Sequence, residues 1–210
     1  MAYYRYDNYA VTLFGWASTG SGFAPPVPLW QTAAGWEGAR LIPAGVADFN
    51  GDGREDILAY YRYDNNELAL FGWAGTSAGV SFPVQVWHTP SGWDGNRVIP
   101  AGVGDFNSDG RADVLAYYRY DGYVLTLFGW AGNGSGLGGP TQLWQTPAGW
   151  EGSRVIPAGI ADYNADGRGD VLAYYRYDNN ELALFGWPGA AAGVCSPVQL
   201  WHTPSGWDGN

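Results

Sequence analysis

The chain has 210 residues, with 20 acidic against 10 basic side chains and a formal net charge of −10. Every basic residue is an arginine and none is a lysine; so acidic a surface argues against nucleic acid and against anionic membranes as partners, since both attract positive charge. The 12 Trp, 15 Tyr and 33 Gly, without any heptad pattern, favour an all-β chain rich in turns, and no apolar run is long enough for membrane insertion.

In chain order, the opening Met1-Ala2-Tyr3-Tyr4-Arg5 is not a signal peptide. The segment Ala-Tyr-Tyr-Arg-Tyr-Asp begins at Ala2 and returns at Ala59, Ala116 and Ala173. Residues 2–58, 59–115, 116–172 and 173–210 are therefore four copies of one 57-residue unit within a single domain spanning 1–210, the last copy incomplete. The missing part corresponds to 97–115, a strand and its following loop. Copies one and three share Leu-Trp-Gln-Thr, whereas two and four share Trp-His-Thr-Pro-Ser-Gly-Trp-Asp-Gly-Asn, as if a two-unit block had been duplicated. The single cysteine, Cys195, allows no disulfide within the chain.

Each unit predicts four strands, at 40–47, 57–63, 67–73 and 83–88 in the first complete set. Four-stranded units at this period predict a β-propeller of antiparallel blades, four per chain with one innermost strand missing; a solenoid is the alternative.

Between the first two strands of a unit lies Asp48-Phe49-Asn50-Gly51-Asp52-Gly53-Arg54-Glu55-Asp56, repeated from Asp105 and from Asp162. Side-chain oxygens recur at loop positions 1, 3, 5 and 9, with glycine at 6, the alternation of a loop that wraps a hard cation. The expected ligands are Asp48, Asn50, Asp52, Asp56 and the Arg54 carbonyl; Asp105, Asn107, Asp109, Asp113 and the Arg111 carbonyl; and Asp162, Asn164, Asp166, Asp170 and the Arg168 carbonyl. An all-oxygen set without His or Cys points to calcium, about three ions per chain, rather than zinc. The plainer reading is a run of Asx turns with no ion. Ten of the 20 acidic residues lie in these loops, so three divalent ions would bring the charge to about −4.

The Asp-Phe-Asn-Gly-Asp-Gly-Arg-x-Asp loop, repeated once per four-stranded unit, resembles the FG-GAP/VCBS-type repeats of integrin α-subunit propellers and of fungal lectins similar to the Psathyrella velutina lectin. The resemblance implies a propeller whose loop joins the innermost and second strands of a blade and binds calcium. It also implies an extracellular setting and, on the lectin side, glycan ligands.

In an up-and-down blade the metal loops share one face, and the second-to-third and fourth-to-first connections share the other. That second face combines Tyr63, Asp64, Trp36, Trp93, Asp94, Asn96, Trp150 and Trp207, the mixture of aromatic plates and polar groups that sugar binding requires. Trp16, Trp73, Trp130 and Trp187, and the series Trp30, Trp87, Trp144 and Trp201, read as inter-blade core. Arg62 is expected to stack on its tyrosine neighbours or to pair with Asp64 or with a neighbouring blade. His88 and His202 read as packing or sugar contacts.

No nucleophile–base pair or open metal site recurs, so a binding module is favoured over an enzyme. The rival reading is a structural or protein-interaction propeller without ligand-binding activity of its own, including a fragment that self-assembles. Because the first three strands lack their innermost partner, either a strained or open four-blade arrangement or a homo-oligomer is expected, with a dimer completing an eight-blade ring preferred.

Overall fold

A computed structural model describes residues 2–7, 9–33 and 35–204. The first sheet pairs β1 (Ala2–Arg5), β2 (Val11–Gly15) and β3 (Val27–Gln31). The second pairs β4 (Leu41–Ala47), β5 (Asp56–Arg62), β6 (Leu68–Trp73) and β9 (Val84–His88), with a small hairpin of β7 (Gly75–Thr76) and β8 (Gly79–Val80) inserted. The third pairs β10 (Val98–Gly104), β11 (Asp113–Arg119), β12 (Leu125–Trp130) and β13 (Thr141–Gln145). The fourth pairs β14 (Val155–Ala161), β15 (Asp170–Arg176), β16 (Leu182–Trp187) and β19 (Val198–His202), with a hairpin of β17 (Gly189–Ala190) and β18 (Gly193–Val194). All pairings are antiparallel and follow chain order. These are propeller blades, here numbered 1 to 4, arranged as an arc that does not close. No helix of the described residues is long and apolar enough to cross a membrane.

The second strand of each blade explains why the sequence is apolar at consecutive positions. Along β5, Ile57, Ala59 and Tyr61 pack toward blade 1, while Leu58 and Tyr60 pack toward blade 3. Strand pleating sends neighbours to opposite faces, and here both faces are buried. Aromatic side chains fill the gaps between blades. The Trp87 and Trp130 rings lie 5.1 Å apart at 71°, and Trp144 and Trp187 repeat this at 5.1 Å and 72°.

The innermost strands β4, β10 and β14 lie side by side, with β10 touching both others. Each has a register shift just after its proline. Backbone bonds also link blades directly: Ala112 N–H donates to the Asp48 carbonyl and Gly169 N–H to that of Asp105, both at 2.8 Å. Within each blade a threonine latches the fourth strand to the third. Leu125 N–H donates to Thr146 Oγ1 at 3.0 Å, and Thr146 N–H returns to the Leu125 carbonyl at 2.9 Å.

The two end faces differ from the internal ones. Trp73, Trp130 and Trp187 are at most 1% exposed, but their counterpart Trp16 in blade 1 is 37% exposed. Tyr60 and Tyr117 are each 1% exposed, whereas Tyr174 in blade 4 is 36% exposed. Trp16 and Trp201 thus depart from the expected core role, because no blade among the described residues covers them.

Candidate functional site

The three acidic loops follow β4, β10 and β14. In the first, the Asp48 carboxylate accepts N–H bonds from Gly51 at 2.7 Å and Gly53 at 2.8 Å. Asn50 Oδ1 accepts from Asp52 at 2.8 Å, and Asp52 from Arg54 at 2.9 Å. Asp105, Asn107 and Asp109 repeat this order, as do Asp162, Asn164 and Asp166. The oxygens at positions 1, 3 and 5 therefore all accept from the loop backbone, those at 3 and 5 as Asx turns and that at 1 from N–H groups three to five residues on.

Position 9 behaves differently. Asp56, Asp113 and Asp170 are fully buried. One oxygen of Asp113 accepts from Phe106 N–H at 3.1 Å, the other from Gly132 N–H at 2.9 Å. The same two bonds hold Asp56 to Phe49 and Gly75, and Asp170 to Tyr163 and Gly189. This carboxylate fastens the loop to the segment leaving the third strand. Burial pushes the Asp113 carboxyl up to about 6, and the nearby Asp109 and Asp105 charges push it further the same way. Asp56 is shifted in the same direction, again chiefly by burial, with Asp52 contributing.

In kind, the donors suit a hard cation: three carboxylates, an amide and the Arg54, Arg111 or Arg168 carbonyl. Each ionised carboxylate has about four lone-pair positions, so N–H bonds do not exhaust it. In arrangement, no three His, Cys, Asp or Glu side chains converge as a metal-binding group among the described residues.

At the other end of the blades, the β3–β4 connection meets the β5–β6 turn. Between them lies an open cavity of about 440 Å³ lined by Trp36, Glu37, Arg40, Tyr61, Tyr63 and Asp64. Arg40 Nε donates to Glu37 at 2.8 Å and its Nη2 to Asp64 at 2.5 Å, while Nη1 reaches the Arg62 carbonyl at 3.4 Å. Trp36 is held edge-on by Tyr61 at 4.9 Å and Phe71 at 4.8 Å. Its loop is pinned by Glu37 N–H donating to Tyr61 Oη at 3.1 Å.

Blade 4 repeats the arrangement around a cavity of about 220 Å³ lined by Trp150, Glu151, Arg154, Tyr175, Tyr177 and Asp178. Arg154 Nε donates to Glu151 at 2.8 Å and pairs with Asp178. Around Trp93 the geometry changes. Arg97 keeps Asp121 at 2.8 Å, but its Nε stands 3.7 Å from Asp94. Asp94 instead accepts the Asn96 N–H at 2.9 Å, and the Asn96 amide donates to Asn66 at 2.7 Å.

The expected ligand-binding residues thus separate into blade-specific groups. Trp36, Tyr63 and Asp64 meet at one cavity, and Trp150 lies at its repeat. Trp93 and Asp94 lie by Tyr118, to whose Oη the Asp94 N–H donates at 3.0 Å. Trp207 lies outside the described residues. Arg62 does not pair with Asp64, which is taken by Arg40; Arg62 Nε is buried without a hydrogen-bond partner among the described residues. His88 Nε2 is 3.4 Å from Glu67, and its ring is 5.9 Å from Tyr63. Glu37, Arg40, Glu151, Arg154 and the tyrosines Tyr61 and Tyr175 are site residues that the sequence reading did not single out. Their signal was the 57-residue recurrence of an arginine just before the first strand, four residues after a tryptophan.

Comparison with curated protein sequences gives no match. Among solved structures, AofleA from Arthrobotrys oligospora is similar in fold, with TM-score 0.52 and 15% identity over 94% of this chain and 52% of that one. A triple arginine-to-alanine mutant of AofleA gives TM-score 0.48 at 15% identity, covering 94% and 54%. This chain therefore spans about half the length of those structures. The family model of the FG-GAP-like repeat matches residues 48–116 and 105–173. Each match begins at the first aspartate of an acidic loop and ends within the second strand of a following blade, so the family's unit is the loop-and-strand pattern described above. The two matches together span 48–173, more than half of the sequence, and the chain belongs to the FG-GAP-like repeat family.

Proposed function

We propose that this chain is a calcium-stabilised propeller module that binds carbohydrate, lectin-like, at repeated sites on the face opposite the acidic loops. The observation that carries this reading is the Trp36 cavity. An aromatic plate, two tyrosines and an ion-paired Arg40 with Glu37 and Asp64 surround a space large enough for a sugar ring. Sugars offer an apolar C–H face and hydroxyls that both donate and accept, and this wall supplies a counterpart to each. Recurrence at Trp150, with the variant at Trp93, gives several weak sites whose avidity adds on a multivalent glycan surface. The carboxylates at the cavity are held by Arg40, which suits binding rather than catalysis. Titration of tryptophan fluorescence with a panel of sugars tests the reading: a saturable change is expected, and a flat response across the panel removes it.

Calcium has a structural part in this reading. About three ions, one per acidic loop, would draw oxygens from the Asp48, Asp105 and Asp162 loops and offset their mutual repulsion. Millimolar calcium and exposed glycans both belong to an extracellular setting. Calorimetric titration of the chelator-treated protein with calcium is expected to saturate near three ions.

A second reading, a structural or protein-interaction propeller that self-assembles without a ligand of its own, is favoured by one observation. Among the described residues nothing covers the faces bearing Trp16 and Tyr174, although their repeats inside the arc are buried. It predicts association insensitive to free sugars.

A further inference from the structure

We infer that the cavities at Trp36 and Trp150 accept neutral or ammonium-bearing sugars and exclude anionic ones, with Glu37 and Glu151 as the specificity-determining residues; this rests on the carbohydrate reading above.

The argument starts from the donors of Arg40. Its Nε is taken by Glu37, its Nη2 by Asp64, and its Nη1 leans on the Arg62 carbonyl. A ligand carboxylate or sulfate seeks the two-pronged edge of a guanidinium. Here that edge is occupied by the protein's own carboxylates, and Arg154 is occupied in the same way by Glu151 and Asp178. Two acidic groups around one arginine leave a charge of −1 at each cavity. The Glu37 and Asp64 side chains remain 51% and 89% exposed, so their unused lone pairs face the opening. What these cavities lack is a partner that donates: a hydroxyl or an ammonium group. An approaching anion meets like charge, and the Nε and Nη2 edge that would grip it is already committed to Glu37 and Asp64.

The site at Trp93 supports the assignment by contrast. Asp94 is one methylene shorter than Glu37 or Glu151 and leaves Arg97 Nε at 3.7 Å, beyond a hydrogen bond. Arg97 thus keeps free the Nε proton that Arg40 and Arg154 commit to their glutamates. The chain thus carries two classes of site, and the Glu/Asp alternation between successive units sets them apart.

The test uses the full chain and matched sugar series, glucose with glucosamine and glucuronate and galactose with galactosamine and galacturonate, titrated at low and at physiological salt. In the wild type, uronates are expected to bind the Trp36 and Trp150 cavities at least about tenfold more weakly than their neutral counterparts. The Trp93→Ala variant removes the third site; because the Trp93 ring packs on Tyr118 and Phe128, its fold is checked first, and Arg97→Gln takes its place where it does not fold. In the E37Q/E151Q double variant the deficit is expected to shrink to within about threefold, because the charge is removed while an acceptor oxygen is kept. Uronates binding the Trp93→Ala protein as tightly as neutral sugars overturns the inference and leaves the carbohydrate reading standing. A folded double variant with an unchanged deficit removes the role of Glu37 and Glu151. Absence of binding by any sugar in either series, and across the wider panel, removes both readings. If the double variant does not fold, the wild-type and Trp93→Ala series decide the charge rule.

Discussion

Tyr174 and Tyr175 are adjacent and chemically identical, yet their surroundings assign them different work. Tyr175 is 7% exposed and its Oη accepts the Glu151 N–H at 3.2 Å, which fixes the loop carrying Trp150 and Glu151. Tyr174 lies on the uncovered face of blade 4. Tyr175→Phe leaves a peptide N–H without its partner, and a loss of about 1–3 kcal/mol of stability is expected. Sugar affinity at the Trp150 cavity should fall with it. Tyr174→Phe should change stability by less than about 0.5 kcal/mol. Thermal or denaturant melts of the two variants check the contrast, and equal effects would show that this bond does not hold the loop. Gly152 obeys a different constraint: a Cβ there would lie 2.5 Å from Leu125 Cβ and 2.7 Å from the Tyr123 carbonyl. Gly152→Ala is therefore expected to displace the same loop and lower the melting temperature.

At the scale of the element, the loop of 105–113 joins two strands, and Asp113 joins that loop to a third segment through Phe106 and Gly132. Asp113→Ala strands two buried N–H groups at once, so a loss of several kcal/mol is expected, each lost acceptor costing about 1–3 kcal/mol. Calcium removal tests the other half of the loop's proposed work. With calcium at about 100 times its dissociation constant, each site adds about 2.7 kcal/mol, so chelation should lower the denaturant midpoint and calcium should restore it. A midpoint indifferent to calcium would leave the Asx turns and the position-9 carboxylates as the whole of the loop's function.

The strands and these loops were legible because each is written locally: oxygens at alternate positions, apolar runs between turns, and a 57-residue copy to compare. The hairpins β7–β8 and β17–β18 were not, since Gly-rich segments such as 74–80 carry no alternation of side chains. The candidate sugar site was half legible. Trp36, Tyr63 and Asp64 stood out as aromatic and polar residues in turns. The Arg40–Asp64 pair joins residues 24 apart, brought together by sheet pairing across β4 and β5, and no local pattern announces it. The same cause removes one of the partners open to Arg62: Asp64 stands two residues from it in sequence but is held by Arg40.

At the scale of the whole molecule, the repeat makes its own uncovered surfaces interpretable. Inside the arc, the face bearing Tyr60 or Tyr117 packs on the face bearing Trp130 or Trp187, and burial there is nearly complete. The face bearing Tyr174 and the face bearing Trp16 are the same two surfaces by sequence, left open at opposite ends. Tyr4 tells the same story at 58% exposure, against 6–7% for Tyr61, Tyr118 and Tyr175. A second copy offers each face the complement it meets elsewhere in the fold. The free side of β1, without a strand partner among the described residues, offers a further edge. Such contacts are heterologous, so they form a ring where the rotation closes and a filament where it does not. We expect a dimer that completes a ring of eight blades. Its contacts are apolar, whereas the −10 charge of each chain opposes association, so added salt or calcium should strengthen the dimer rather than dissolve it. Light scattering across a concentration series, with Trp16→Arg and Tyr174→Arg as variants, tests this. The wild type should run at twice the chain mass and each variant at one. A compact monomer at every concentration, or variants as dimeric as the wild type, would show that these faces do not meet.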